Sequence, residues 1–197
     1  MFTLLPPATR ALILINVGVF LLQQLAWNPM LALFALWPPG SGHFQPWQLI
    51  TYAFLHGNLL HIFFNMFALF MFGRSLELYW GGRRLVMFYL VCVLTAALTQ
   101  LAVQGASGEQ EEVLGASGGV FGVLLAFAWY FPRQPLFVIP IPIPIPAWLF
   151  VTVYAAIELF SGLARTQQGV AHFAHLGGML GGALCILYWR ARRRFSS

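Results

Sequence analysis

The chain has 197 residues, 60% of them hydrophobic and only 8% charged, where a soluble domain carries about 25% charged residues. With a mean hydropathy of +0.79, this composition excludes an ordinary soluble domain and describes an all-α polytopic membrane protein. The net charge of +5 does not imply nucleic acid: all ten basic residues are arginines, not arranged as one basic face, and they read as determinants of membrane topology.

Apolar runs of about 20 residues predict six spans. The first covers 10–27 and opens at Arg10. A signal peptide would end at a small-residue cleavage site, and this run continues to Trp27 without one. Residues 28–54 are too apolar for a solvated loop; with Trp37-Pro38-Pro39-Gly40 and Trp47 they are expected to lie partly in the outer leaflet, as a re-entrant or interfacial element. Span two covers 55–75. A short turn holding Trp80 leads to span three at 84–104. The acidic stretch Glu109, Glu111 and Glu112 precedes span four at 116–131. Residues 132–146 end in four Ile-Pro pairs, which cannot form helix and read as a stiff extended spacer. Span five covers 147–163 and span six 171–189; spans four and five are short, as suits a thin bilayer. Cys92 and Cys185 fall inside apolar runs as small core residues. Neither an internal repeat nor a second domain is visible, so residues 1–197 read as one membrane domain.

With both termini in the cytoplasm, nine of the ten arginines lie inside and only Arg165 outside, which satisfies the positive-inside rule. Trp27, Trp129, Trp148 and Trp189 mark span ends as an aromatic belt. In this topology spans two, four and six all run inward from the outer surface. His61 and Asn65 then lie in the first turns of span two, four apart and on one face. Ser117 opens span four, and His175 lies about one turn into span six. At about 1.5 Å rise per residue, all four fall within roughly 15 Å of depth. Polar side chains in a membrane interior are few and usually functional.

Small residues surround the serine. Gly118 and Gly122 form a GxxxG face on span four, Gly178 and Gly182 another on span six, and facing small residues let helices approach closely. That approach is what a Ser117–His175 hydrogen bond requires. Serine becomes a nucleophile when a neighbouring base takes its proton, and neutral His175 can take it and return it to a leaving amine. The chain has no aspartate, which leaves packing, water or Glu158 to orient the histidine. Asn65, His61 and the Ser117 backbone N–H, at a helix N-terminus, are donors of the kind an oxyanion needs. The bland alternatives are helix packing around the glycines and interhelical hydrogen bonding by His61 and Asn65.

Four patterns between residues 56 and 182 together resemble the rhomboid intramembrane serine proteases in their compact six-helix prokaryotic form. His56 and His61 followed by Asn65 are similar to HxxxxHxxxN. Glu77 with Trp80, Gly81 and Arg83 resembles the turn that follows. Gly115-Ala116-Ser117-Gly118 matches GxSG. Ala174-His175 with Gly178 and Gly182 matches AHxxGxxxG. The resemblance implies a six-helix bundle that cleaves transmembrane segments of other proteins near the outer face of a bacterial inner membrane, without metal, cofactor or nucleic acid. Ser117 and His175 would form a catalytic dyad, His61 and Asn65 would stabilise the oxyanion, residues 28–54 would brace the site, and the loop 164–171 would cap it. Two positions depart from the pattern. Phe121 replaces a frequent tyrosine one turn after the nucleophile, keeping an aromatic face for His175 but no hydroxyl. Gln48 follows Trp47 where some relatives have arginine, which puts the bracing of that loop in doubt. His172 is expected at the interface or in contact with water, His56 as a structural donor near the outer loop, and His43 facing solvent. Three readings compete: a histidine-box metal enzyme, which needs more histidines on the cytoplasmic side; a non-catalytic client-binding relative, which would lack the serine or histidine; and a transporter, which would show an inverted repeat.

Overall fold

The structure is a computed structural model and describes residues 5–137, 143–164 and 171–194, with side chains to Arg192. Helix α1 (Pro7–Leu25) opens with proline in its first turn, where the missing N–H costs nothing. The outer connection holds two short helices, α2 (Trp27–Phe34) and α3 (Gln48–Thr51), with single 3₁₀ turns around them. Next comes a continuous helical span, Leu59–Trp80, made of α4 (Leu59–Ala68), a π turn (Leu69–Gly73) and α5 (Arg74–Trp80). Helices α6 (Gly82–Ser107), α7 (Ser117–Tyr130), α8 (Ala147–Ala164) and α9 (His172–Arg194) complete the bundle. Among the described residues, four helices are long and apolar enough to cross a membrane, and α7 is a shorter apolar helix.

The shortness of α7 goes with its place. Ten of its fourteen residues are buried, and a helix of that length spans about 21 Å. It is packed against α4, α6, α8 and α9, so neighbouring protein rather than lipid satisfies it. Lipid offers no hydrophobic drive for helices to associate, so close packing must hold them, and the glycines permit it. A Cβ on Gly178 would overlap the Gly118 carbonyl; one on Gly122 would overlap the Cys92 sulfur, and one on Gly182 would stand 3.4 Å from Gly122 Cα. Large apolar side chains such as Leu60, Phe64 and Phe160 point outward instead.

Two elements differ from expectation. Span two begins at Leu59 and runs to Trp80, so Trp80 closes a helix rather than sitting in a turn; Gly81 (φ 85°) makes the reversal. Trp80 packs on Phe88, Tyr130 and Trp189, and Arg84 and Arg190 stack on Trp189 and Trp129 at the same end of the bundle. Glu77 is buried there and accepts from Ala8 N–H (2.8 Å), Thr9 N–H (2.6 Å) and the Thr9 hydroxyl (2.7 Å). It therefore caps the otherwise unpaired amides that begin α1. The Ile-Pro connection is not a straight spacer: Pro135 and Leu136 pair antiparallel with Pro146 and Ile145, folding the segment back. Prolines lack the N–H a longer ladder would need. Residues 138–142 of that connection and 165–170 of the expected cap, including Arg165, lie outside the described residues.

The outer connection is braced by Gln48, whose side chain is fully buried. Its Oε1 accepts from Trp37 and Gln45 amides, and its Nε2 donates to carbonyls of Ala32, Leu33 and His43. The Trp47 indole donates to Leu33 O at 2.8 Å. Leu36 pairs with Val113 in the segment leading to Ser117, which ties this connection to the site.

Candidate active site

Ser117 is the first residue of α7. The chain reaches it through Gly115, whose φ of 128° favours glycine and whose N–H donates to Tyr52 O at 3.0 Å. A Cβ at Gly115 would also stand 2.7 Å from His61 Cε1 and Nε2, so the glycine lets the His61 ring lie beside the turn. His175, in the first turn of α9, places Nε2 2.8 Å from Ser117 Oγ. Phe121, one turn beyond Ser117, stacks on the His175 ring at 4.2 Å and 6°, so the aromatic face is retained without a hydroxyl. Gly118, Gly122, Gly178 and Gly182 bring α7 and α9 together beneath this pair.

On α4, Asn58 caps the helix through the His61 amide (2.9 Å). His61 Nδ1 accepts from Gly57 N–H at 3.4 Å, which leaves Nε2 as the ring's donor. Asn65 follows one turn later on the same face, 6% exposed, and its Nδ2 has no hydrogen-bond partner among the described residues. A buried amide donor without a partner is costly and marks a place where an acceptor is expected to bind. His61, Asn65, Ser117, Phe121, Tyr154 and His175 line one cleft of about 900 Å³, which Glu109, Glu111 and Glu112 border as well.

Two expectations about histidines are corrected here. His172 does not face the interface: it is buried, with Nδ1 2.7 Å from Glu158 Oε2. His56 is not a side-chain donor, since neither ring nitrogen has a partner among the described residues. Its ring packs against Phe20 and His61, while its backbone N–H and C=O pair with the Gln23 amide. His43 is exposed and lies against Trp37. Of the three orienters open to His175, two are in contact with it: Phe121 packs on the ring, and Glu158 Oε2 lies 2.9 Å from Nδ1. The available signal was Glu158's position as the only charged residue in span five, because an ionisable group at that depth asks for a named partner.

The Rhomboid domain family matches residues 43–192. The chain belongs to the rhomboid family. Among curated relatives it is similar to the rhomboid protease GlpG of Photorhabdus laumondii, at 28% identity over 97% of this chain and 64% of that protein. It is also similar to rhomboid protease GlpG of Yersinia pseudotuberculosis (25% identity, 94% of this chain, 63% of that one) and of Klebsiella pneumoniae (29%, 62% and 43%). The chain thus spans less than two thirds of the length of these relatives. As a rhomboid it is a multi-pass integral membrane protein of a family of intramembrane proteases.

Proposed function

We propose that the chain is an intramembrane serine endopeptidase that cuts transmembrane segments of other membrane proteins near the outer face, with both termini in the cytoplasm of a bacterial cell. The observation that carries this reading is the 2.8 Å hydrogen bond between Ser117 Oγ and His175 Nε2 inside a cleft that also holds the unpartnered Asn65 amide. Ser117 Oγ attacks the scissile carbonyl as its proton passes to His175 Nε2. The carbonyl oxygen becomes an oxyanion within reach of Asn65 Nδ2, His61 Nε2 and the Ser117 backbone N–H. His175 then gives its proton to the departing amine as the C–N bond breaks, and a water, deprotonated by the same nitrogen, hydrolyses the acyl-serine. No metal or cofactor enters this sequence.

The test compares wild type with Ser117→Ala, both purified in detergent, on a reporter carrying a small-residue segment just below the outer surface. Cleavage by wild type alone is the expected result. Cleavage by both removes Ser117 from the mechanism, and a folded wild type that cuts no reporter of a panel favours client binding. Asn65→Ala is expected to lower kcat by about 10²–10³-fold as an oxyanion donor; an unchanged kcat removes it from that role.

A further inference from the structure

Two buried histidines of one helix share a single carboxylate oxygen. His172 and His175 are three apart, hence on one face of α9, and their Nδ1 atoms lie 2.7 and 2.9 Å from Glu158 Oε2. Glu158 reaches them because α8 approaches α9 at a glycine: a Cβ on Gly162 would stand 3.0 Å from the Phe173 ring and 3.2 Å from His172 Cβ. An ionised carboxylate only accepts hydrogen bonds, so each ring turns Nδ1–H toward it. The unprotonated nitrogen of neutral His175 is then Nε2, the atom that faces Ser117.

We propose that Glu158 is a positioning residue that holds His175 in its base-competent tautomer, and that His172 is the second donor that holds Glu158. The inference rests on the Ser117–His175 mechanism above. When the Ser117 proton reaches Nε2, the resulting imidazolium faces the Glu158 carboxylate; the proton then leaves to the amine from the same Nε2. Glu158 takes up no proton at any step. Between turnovers, with His175 neutral, the His172 donor keeps the carboxylate satisfied in a layer where an unpaired charge is costly.

The same three side chains have the composition of a metal site, but their spacing favours hydrogen bonds. Ligand atoms around a tetrahedral zinc, at bonds of about 2.0–2.1 Å, stand about 3.3 Å apart, whereas separations of 2.7 and 2.9 Å are those of N–H···O bonds.

The experiment measures kcat and KM on the transmembrane reporter for wild type, Ser117→Ala, Glu158→Gln, His172→Leu and His172→Asn, with nitrogen-15 NMR of the imidazoles in detergent. Glu158→Gln is expected to lower kcat by about 10²–10⁴-fold with little change in KM, because an amide donor facing Nδ1 favours the tautomer that cannot accept from serine. His172→Leu is expected to lower kcat by about 10–100-fold through loss of a hydrogen bond to a charged group. His172→Asn, whose amide N–H falls near the place of Nδ1, recovers most of that loss. The wild-type spectrum should show His175 protonated at Nδ1 in its neutral form. Wild-type kcat in Glu158→Gln overturns the proposal, as does equal impairment of His172→Leu and His172→Asn. A neutral His175 protonated at Nε2 in wild type does so too, without depending on any variant's folding. Cleavage by Ser117→Ala would instead overturn the underlying mechanism.

Discussion

His175→Ala is expected to reduce cleavage of a transmembrane reporter by about 10⁴–10⁶-fold, since serine without its base is a poor nucleophile and members of such a unit fail almost as completely alone as together. The substitution removes the only side chain hydrogen-bonded to Ser117 Oγ among the described residues, and with it the ring stacked on Phe121. It leaves Glu158 with the His172 donor at 2.7 Å, so the carboxylate is not stranded and the protein is expected to remain folded. The check is a kinetic comparison at matched detergent and protein concentration, with thermal unfolding of both proteins alongside. A folded variant that retains more than about one hundredth of the wild-type rate would place the base elsewhere.

Gly178→Ala is expected to be the most damaging single methyl addition in the bundle. The new Cβ would overlap the backbone carbonyl of Gly118, which no rotamer change can relieve, so α7 and α9 must separate. Overpacking of a core usually costs about 1–3 kcal/mol, and a clash against backbone belongs at or beyond the upper end. Gly118 adjoins Ser117, so a shift of about 1 Å would also break the Ser117–His175 hydrogen bond and is expected to lower the rate by about 10²-fold. Gly18→Ala serves as the contrast: nothing lies within 4 Å of a Cβ there, and the helix should be unchanged or gain about 0.5–1 kcal/mol. Thermal unfolding and reporter cleavage measured on both variants check the pair; equal stability of the two would contradict the close approach of α7 and α9.

Helices were legible in the sequence because lipid imposes a long apolar run on each span, and Ser117, His175, His61 and Asn65 were legible as polar groups at one depth. The Gly118–Gly122 and Gly178–Gly182 faces announced the contact that brings Ser117 to His175. The Glu158–His172 contact was harder to read. Seventeen positions separate Glu158 from His175, and no spacing rule joins side chains on different helices. Its isolation as a charge in span five and the three-residue spacing of the histidines were separate signals that only tertiary packing connects. His56 misled for the opposite reason: a histidine suggests a donor, yet here the ring fills space while the backbone does the bonding with Gln23. The apolar run weakens at Arg74 and Glu77, which on the sequence alone puts Trp80 in a turn, but Glu77 faces inward to cap α1 and the helix continues. Gln48 stood in for an arginine brace through neutral hydrogen bonds that composition alone does not reveal.

The activation of Ser117 by His175 is tested most directly by labelling the purified protein with a fluorophosphonate, which phosphonylates activated serines, and mapping the adduct by mass spectrometry. Activation by His175 predicts one adduct, on Ser117, in wild type and none in His175→Ala. A folded wild type that takes no label, or labelling of Ser117 that is undiminished in His175→Ala, would contradict it.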